Sequence, residues 1–209
     1  GERSGLSGYH RVRVMSFHRL ALQVLGDTCP AVLAGGEGRG VLSETAKQMI
    51  IRYLLQQHQG ELAVFSRSAN RGGFIAQLSG LFRELRQYCR RPEDLQAERE
   101  RLAGSGLAEW GPLVEKLGDL ERIYRAYLGY IEGRFVDPDD FLDLVVPCCG
   151  RAEVLRGAKV WVDGFAGFTP QQYAVLEAVL GQAEAGWVTL CLDWRAEQYR
   201  VAELGEGAR

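Results

Sequence analysis

Residues 158–165 read Ala158-Lys159-Val160-Trp161-Val162-Asp163-Gly164-Phe165, and this stretch decides the fold. Its β-branched and aromatic residues predict a strand at about 159–163. Thr169-Pro170-Gln171-Gln172 follows with the pattern of a capping box, in which a threonine caps a helix and a glutamine three residues later reaches back to it. A second run rich in β-branched and aromatic residues predicts another strand at 187–192. Strand, helix and strand within this length form a βαβ unit, and such units build parallel sheets.

The beginning of the chain carries the pattern of one further strand and helix. Val12-Arg13-Val14-Met15 alternates apolar and polar residues, which predicts a short strand. Residues 17–25 carry apolar side chains at helical spacing, and Gly26 ends that pattern. We therefore expect one sheet of at least three strands, near residues 12–15, 159–163 and 187–192.

The middle of the chain is predicted to be helical over most of residues 43–146. Ser43 is a helix cap, and apolar residues recur at spacings of three and four from Leu113 to Ile131. Asp137-Pro138-Asp139-Asp140 has the capping aspartate and first-turn proline of a helix start. The sequence thus predicts a helix-rich α/β protein, in which a helical domain of residues 43–150 is inserted into an α/β domain formed by residues 1–42 and 151–209.

The composition limits the class of protein. The chain has 209 residues, of which 46% are hydrophobic and 25% charged, and this balance is typical of a folded globular protein. Its formal net charge of −2 argues against a protein that depends on non-specific attraction to phosphates. There is no apolar run long enough to cross a bilayer, and the five cysteines are widely scattered. We expect reduced thiols and a cytoplasmic protein. The chain begins with Gly1 and ends in a polar stretch, which suggests a fragment of a longer chain.

Asp163 and Gly164 resemble a magnesium-binding motif that has lost one of its parts. Nucleotide hydrolases use an aspartate at the end of a parallel strand to hold magnesium, and a following glutamate to orient water. Here Gly164 follows Asp163, and the sequence has no glycine-rich loop ending in Gly-Lys-Ser or Gly-Lys-Thr. We therefore predict no catalytic residue, no metal and no cofactor in this chain. The alternative is that Asp163 only ends a strand and accepts backbone hydrogen bonds.

Phe17, Arg19 and Phe165 are candidate nucleic-acid contacts. Phe17 and Arg19 lie where the first predicted strand ends and a helix begins. Phe165 follows the strand predicted at 159–163, which we expect to lie beside that first strand. Two aromatic rings and a guanidinium at the edge of a sheet suit base stacking and a phosphate contact. The alternative is that both rings belong to an ordinary apolar core.

A second basic set lies on one predicted helix: Arg83, Arg86, Arg90 and Arg91. Arginines at helical spacing suit a phosphate backbone, but the same pattern also describes a solvated helix face.

These residues occur within a wider resemblance. Over nearly all of its length the chain resembles the B subunit of AddAB-type bacterial helicase–nucleases, also called RexB. The blocks that carry the resemblance are Val14–Ala21, Leu42-Ser43 with Met49–Arg52, Ser68-Ala69, Gly73-Phe74, Glu84–Tyr88, Pro92–Asp94, Lys116–Leu120, and above all Gly157–Phe165 with Phe168–Tyr173.

The resemblance implies a partial RecA-like domain of the helicase type, split by a helical insertion. It implies a helicase-like domain that has lost motor activity. Such a domain scans single-stranded DNA for the regulatory Chi sequence and binds an AddA-type partner subunit. ATP with magnesium and an iron–sulfur cluster are implied only for the parent protein. Phe17, Arg19 and Phe165 match positions that line the DNA path, whereas Leu22 replaces a tryptophan found in the family. The alternatives are a docking module without DNA contact and a fragment of a nucleotide hydrolase.

Overall fold

The computed structural model describes residues 12–34, 39–69 and 71–190, and over these residues the protein is helix-rich with two small parallel sheets. The helices are α1 (Phe17–Thr28), α2 (Pro30–Leu33), α3 (Glu44–Gln57), α4 (Gly72–Gln87), α5 (Pro92–Gly104), α6 (Gly111–Ile131), α7 (Phe141–Val145) and α8 (Pro170–Leu180). The strands are β1 (Gly40–Val41), β2 (Phe135–Val136), β3 (Lys159–Phe165) and β4 (Ala185–Leu190). Within this part of the chain, no helix is both long and apolar enough to cross a membrane.

The helix starts follow the capping signals of the sequence. Ser43 precedes α3, and its hydroxyl accepts a hydrogen bond from the backbone N–H of Ala46 at 3.2 Å. Thr169 and Gln172 form the predicted capping box of α8, with a 2.9 Å hydrogen bond from Thr169 N–H to the Gln172 side chain. The prediction of helix over most of residues 43–146 is confirmed.

One apolar core joins α3, α4 and α6. At its centre, the ring of Phe82 lies 4.9 Å from that of Tyr124 and 5.3 Å from that of Tyr127, measured between centroids. All three side chains are almost fully buried. Since burial of one aromatic side chain removes roughly 150–250 Å² from water, these rings contribute much of the apolar stabilisation of the helical bundle.

Asp119 of α6 fixes the segment that joins α3 to α4. Its buried carboxylate accepts hydrogen bonds from the backbone N–H groups of Ala63, Val64 and Phe65, at 2.9, 2.7 and 2.8 Å. Those N–H groups stand at the start of a short 3₁₀ turn and have no helical partner of their own, so the carboxylate replaces the missing acceptors.

A second apolar core positions the candidate site. It is formed by α1, α7, α8, the turns between α7 and β3, and Val160 of β3. Cys29 and Cys148 meet inside it with their Sγ atoms 3.5 Å apart, and the four cysteines in the described part of the chain are free thiols.

The two sheets differ from the predicted single sheet. β3 pairs in parallel with β4, as the βαβ pattern predicts, and β1 pairs in parallel with β2. The predicted strand at residues 12–15 is wrong: these residues are not in a strand, and Val12 and Val14 are 72% and 88% exposed. Alternation alone does not make a strand, because a strand also needs a neighbour with which to exchange hydrogen bonds. Residues 191 and 192 of the other predicted strand lie outside the described residues.

Residues 136–149 contribute to the second core together with α1 and α8. The division into residues 1–42 with 151–209, and 43–150, stays a prediction.

Candidate functional site

The site begins with an irregularity in β3. Trp161 pairs with Trp187 and Val162 with Val188, but the next pair is Phe165 with Leu190. From Val162 to Phe165, strand β3 advances by three residues, whereas β4 advances by two from Val188 to Leu190. Strand β3 therefore contains one additional residue at Asp163–Gly164. This is a β-bulge, a feature that re-aims the side chains that follow it.

The bulge decides which face of the sheet Phe165 occupies. Successive side chains of a strand point to opposite faces, so Trp161 and Asp163 share the outer face and Val162 lies on the inner one. In an unbroken strand Phe165 would share the face of Trp161. The additional residue reverses this parity and places Phe165 on the inner face, where α1 lies.

Gly164 supplies the backbone conformation that the bulge needs. Its φ is +82°, a value that residues with a Cβ rarely adopt. No atom lies within 4 Å of the position that a Cβ would take. The requirement for glycine is therefore conformational and not a matter of space.

Three phenylalanines meet where β3 ends and α1 and α8 begin. The ring of Phe17 lies 5.3 Å from that of Phe165 and 6.0 Å from that of Phe168, and Phe165 lies 5.3 Å from Phe168. The exposed ring of Tyr173 extends the set, 5.5 Å from Phe168. Phe17 and Phe165 are only partly buried, so part of each ring remains open to solvent.

An open groove of about 300 Å³ runs beside these rings. Its lining combines the two rings with polar groups: Ser16, Phe17, His18, Gln87, Pro138, Asp139, Leu142, Phe165, Gln171 and Gln172. The groove thus offers aromatic surface together with amide, hydroxyl and imidazole groups that can donate or accept hydrogen bonds.

Arg19 does not line this groove. Its side chain is exposed, and its backbone N–H donates to the hydroxyl of Ser16, the α1 cap, at 3.3 Å. Arg19 and Phe17 are two residues apart on one helix, so their side chains point in widely different directions. The structure therefore brings Phe17 and Phe165 together and leaves Arg19 on an adjoining surface.

Asp163 is exposed on the outer face of β3, where its carboxylate accepts a hydrogen bond from the hydroxyl of Thr189. Gly164 adds no second carboxylate. Residues 12–34, 39–69 and 71–190 hold no group of three or more His, Cys, Asp or Glu side chains that could hold a metal ion.

A buried ionic cluster adjoins the groove at Asp139. Lys47 of α3 is almost fully buried, lies 3.6 Å from the Asp137 carboxylate and contacts that of Asp139. The hydroxyl of Tyr127 donates to Asp137 at 2.6 Å. Burial opposes the charge of Asp137, but Lys47, Tyr127 and Arg86 outweigh it and lower the pKa of that carboxyl.

Asp140 differs from its neighbour. Burial raises its pKa to about 6, against the pull of Arg86, with which it forms an ion pair. Gln171, also buried, joins this region to α8: its amide nitrogen donates to the carbonyl of Asp139 at 3.1 Å and to the carboxylate of Asp143 at 2.9 Å.

The arginines on α4 serve this cluster and do not form a continuous basic stripe. Arg83 pairs with Glu44 and Asp139, and Arg86 pairs with Asp137 and Asp140. Both guanidinium groups are therefore paired with carboxylates of the same chain, whereas Arg90 and Arg91 of the predicted basic set lie beyond the end of α4 at Gln87. The sequence signal for the cluster is a lysine on an apolar helix face, together with three aspartates within four residues.

Comparison with known proteins assigns the chain to a family. The family model "ADDB, N-terminal" matches residues 2–205. Curated relatives, each named as the B subunit of an ATP-dependent helicase/deoxyribonuclease, include those of Moorella thermoacetica, 42% identical over 200 residues, Desulforudis audaxviator, 40% over 205, and Bacillus subtilis, 35% over 199. These alignments cover 96%, 98% and 95% of this chain and 17% of each relative. The chain belongs to the AddB family and corresponds to its N-terminal region, about a sixth of the length of those relatives.

Proposed function

We propose that this chain is the single-strand-scanning part of a helicase–nuclease subunit, and that its βαβ unit belongs to a RecA-like domain that has lost motor activity. In this proposal the subunit acts in repair of double-strand breaks together with an AddA-type partner. Phe17 and Phe165 contact bases of single-stranded DNA as they pass, and Arg19 contacts a phosphate beside them. The regulatory sequence read at this site is Chi.

The observation that carries the proposal is the pairing of Phe17 with Phe165 at the carboxyl end of β3. Parallel α/β sheets bind ligands at this end of their strands. Partly exposed rings 5.3 Å apart suit stacking on unpaired bases, and stacking tolerates any base. Gln87 and Gln172 in the same groove carry amide groups that suit hydrogen bonds to base edges, which is the chemistry that distinguishes one base from another.

Phe165→Ala tests the proposal in the complete complex of the subunit with its partner. Since stacking of one base contributes about 1–3 kcal/mol, we expect affinity for single-stranded DNA to fall about fivefold or more and the response to the regulatory sequence to be lost. DNA unwinding should remain nearly unchanged. Tyr53→Ala is the matched control, because Tyr53 is a half-exposed aromatic residue on α3 that does not line the groove.

The second candidate is a docking module that touches no DNA. It is favoured by Met49 and Tyr53, which lie four residues apart on α3 and are both exposed, with Tyr53 packed 5.9 Å from Tyr130. An apolar patch of this kind suits a protein partner. A Phe165→Ala complex that responds normally, combined with loss of partner binding in Tyr53→Ala, would establish this candidate in place of the first.

A further inference from the structure

Two thiols from distant parts of the chain meet in the second apolar core. The Sγ atoms of Cys29 and Cys148 lie 3.5 Å apart, within reach of a thiol hydrogen bond, although 119 positions separate the two residues. Cys29 directly follows α1, and Cys148 lies in the turn after α7 (Val146–Arg151). A disulfide bond requires the two sulfurs to approach by about 1.5 Å.

The backbone at Cys29 permits that approach. With φ −143° and ψ 56°, Cys29 lies outside both of the helices that it separates, so its side chain is not limited to the rotamers that a helix allows. Cys148 is more constrained, because it is buried and its thiol donates to the Leu144 carbonyl at 3.4 Å. Since Cys29 is only partly buried, it is the thiol that an oxidant in solution reaches first.

Arg151 brings a positive charge to both sulfurs. Its Nη2 atom lies 3.7 Å from the Sγ of Cys29 and 3.8 Å from that of Cys148. In the described part of the chain this guanidinium has no carboxylate partner. A cation beside a sulfur stabilises the negative charge of a thiolate, which is the form that attacks an oxidant.

The other thiols of the described residues lack this arrangement. Cys149 is buried, and its thiol donates to the Val145 carbonyl at 3.4 Å. Burial raises the pKa of Cys149, which favours its unreactive thiol form. Cys89 is exposed and has no sulfur contact among the described residues. The arrangement thus singles out Cys29 and Cys148.

We propose that Cys29 and Cys148 form a redox modification site, which a hydroperoxide converts to a disulfide. The Cys29 sulfur attacks the terminal oxygen of the hydroperoxide, the O–O bond breaks, and the departing alkoxide takes the thiol proton to become an alcohol. The Cys148 sulfur then attacks the resulting sulfenic acid, the S–S bond forms, and hydroxide leaves with the Cys148 proton as water. The two thiols lose two electrons, which the hydroperoxide gains. A dithiol reverses the change by exchange and is itself oxidised to a disulfide.

The disulfide acts as a clasp on the second core. It ties the end of α1 to the turn after α7, and a crosslink between residues far apart in sequence stabilises a fold chiefly by restricting the unfolded chain. Since α1 has 12 residues and is about 18 Å long, the bond lies at the opposite end of that helix from Phe17. The site therefore does not depend on DNA binding at the groove.

The first test is disulfide mapping in the complete complex of the subunit with its partner. The complex is treated with hydrogen peroxide, the remaining thiols are alkylated, and proteolytic peptides are sequenced by mass spectrometry. We expect a Cys29–Cys148 crosslink that dithiothreitol removes, that is absent in Cys29→Ser and that persists in the matched control Cys89→Ser. Sulfenic or sulfinic acid at Cys29 without a crosslink, alkylation of both thiols after oxidation, or a crosslink of Cys29 to Cys149 or Cys191 would overturn the proposal.

The second test measures how fast the crosslink forms in Arg151 variants. A full charge about 4 Å away in water favours the thiolate about fivefold, and the weaker nucleophilicity of the stabilised thiolate offsets part of that gain. We therefore expect Arg151→Ala to slow crosslinking about twofold to fivefold, and Arg151→Lys to keep most of the wild-type rate. An unchanged rate in Arg151→Ala would contradict activation by the guanidinium.

The third test measures the clasp by hydrogen exchange of the peptides that cover α1. In the oxidised wild-type complex we expect their slowest amides to exchange about tenfold or more slowly than in the reduced one. Cys29→Ser should show no such difference after the same treatment. Equal exchange in the reduced and the crosslinked wild-type protein would overturn the stabilising role.

Discussion

At the scale of single residues, Gly164 determines where Phe165 lies. Its φ is +82°, a value that residues with a Cβ rarely adopt. That conformation allows the bulge, and the bulge places Phe165 beside Phe17. The aromatic pair at the end of β3 therefore depends on the backbone conformation of one residue.

Gly164→Ala should disturb the backbone conformation of the bulge without causing a steric clash. An L-residue in this conformation costs about 1–2 kcal/mol, so the chain is expected to relax towards an unbulged strand and to move Phe165 away from Phe17. We expect the variant complex to lose affinity for single-stranded DNA to a similar extent as Phe165→Ala. Gly167→Ala is the control, since Gly167 also has open space around its Cβ position and has no positive φ. Equal DNA affinity in the two glycine variants would show that the bulge does not position the ring.

At the scale of secondary-structure elements, the carboxylate of Asp119 holds the segment between α3 and α4 in addition to the apolar contacts of Phe65. Asp119→Ala removes the acceptor of three backbone N–H groups and leaves them without partners. The Phe65 N–H is buried, and an unsatisfied buried group costs about 1–3 kcal/mol, so we expect the free energy of unfolding to fall by about that amount. Urea denaturation followed by circular dichroism measures this. Glu115→Ala, at an exposed position one turn earlier on the same helix, should leave the midpoint almost unchanged.

The carboxyl group of Asp140 makes the free energy of unfolding depend on pH. Its folded-state pKa of about 6 lies above the ordinary value of 3.8, so the folded protein binds a proton more readily than the unfolded chain does. Its contribution to stability is therefore present below about pH 4 and is lost as pH rises through about 6. The side chain of Asp140→Asn stays neutral at every pH. Relative to that variant, the free energy of unfolding of the wild-type chain should fall by on the order of 2 kcal/mol between about pH 4 and pH 6. A constant difference between the two proteins across this range would contradict the raised pKa.

The sequence predicted the helices better than the sheet, and the reason lies in the range of the interactions. Ser43 and the Thr169–Gln172 box act on residues within one helical turn, so the sequence displays both partners. The predicted strand at 12–15 failed because strand formation depends on a distant neighbour. The bulge at Gly164 and the Lys47–Asp137 contact were invisible for the same reason: register and long-range ion pairs arise only when the chain is folded.

The candidate site was predicted in part. Phe17 and Phe165 were expected to meet at the edge of the sheet, and the structure places their rings in contact. Phe168 and the groove amides were missed, although the capping box that orients Gln172 was visible in the sequence. The DNA contact of Phe17, Arg19 and Phe165 stays a prediction.

At the scale of the whole molecule, charge sets the strength and salt dependence of DNA binding. The formal net charge is −2, and the carboxylates around Arg83 and Arg86 neutralise two of the cations nearest the groove. We expect the isolated chain to bind single-stranded DNA weakly, with a slope of log K against log salt no steeper than about −1, because a single arginine meets phosphate. Fluorescence anisotropy with a labelled oligonucleotide measures it. A slope of about −4 or steeper would indicate an extended basic path and would contradict a platform made of stacking rings.

The conformation of Gly164 also limits how this sequence can change over evolutionary time. The glycine codons GGA and GGG become glutamate codons by a single base change, so a larger residue at this position is a short mutational step. Such a residue would inherit a backbone conformation unsuited to it, and removing the bulge to accommodate it would turn Phe165 to the opposite face. As long as the protein depends on Phe165, substitutions that remove the bulge are selected against. The contact between Phe17 and Phe165 thus restricts which residues can replace Gly164.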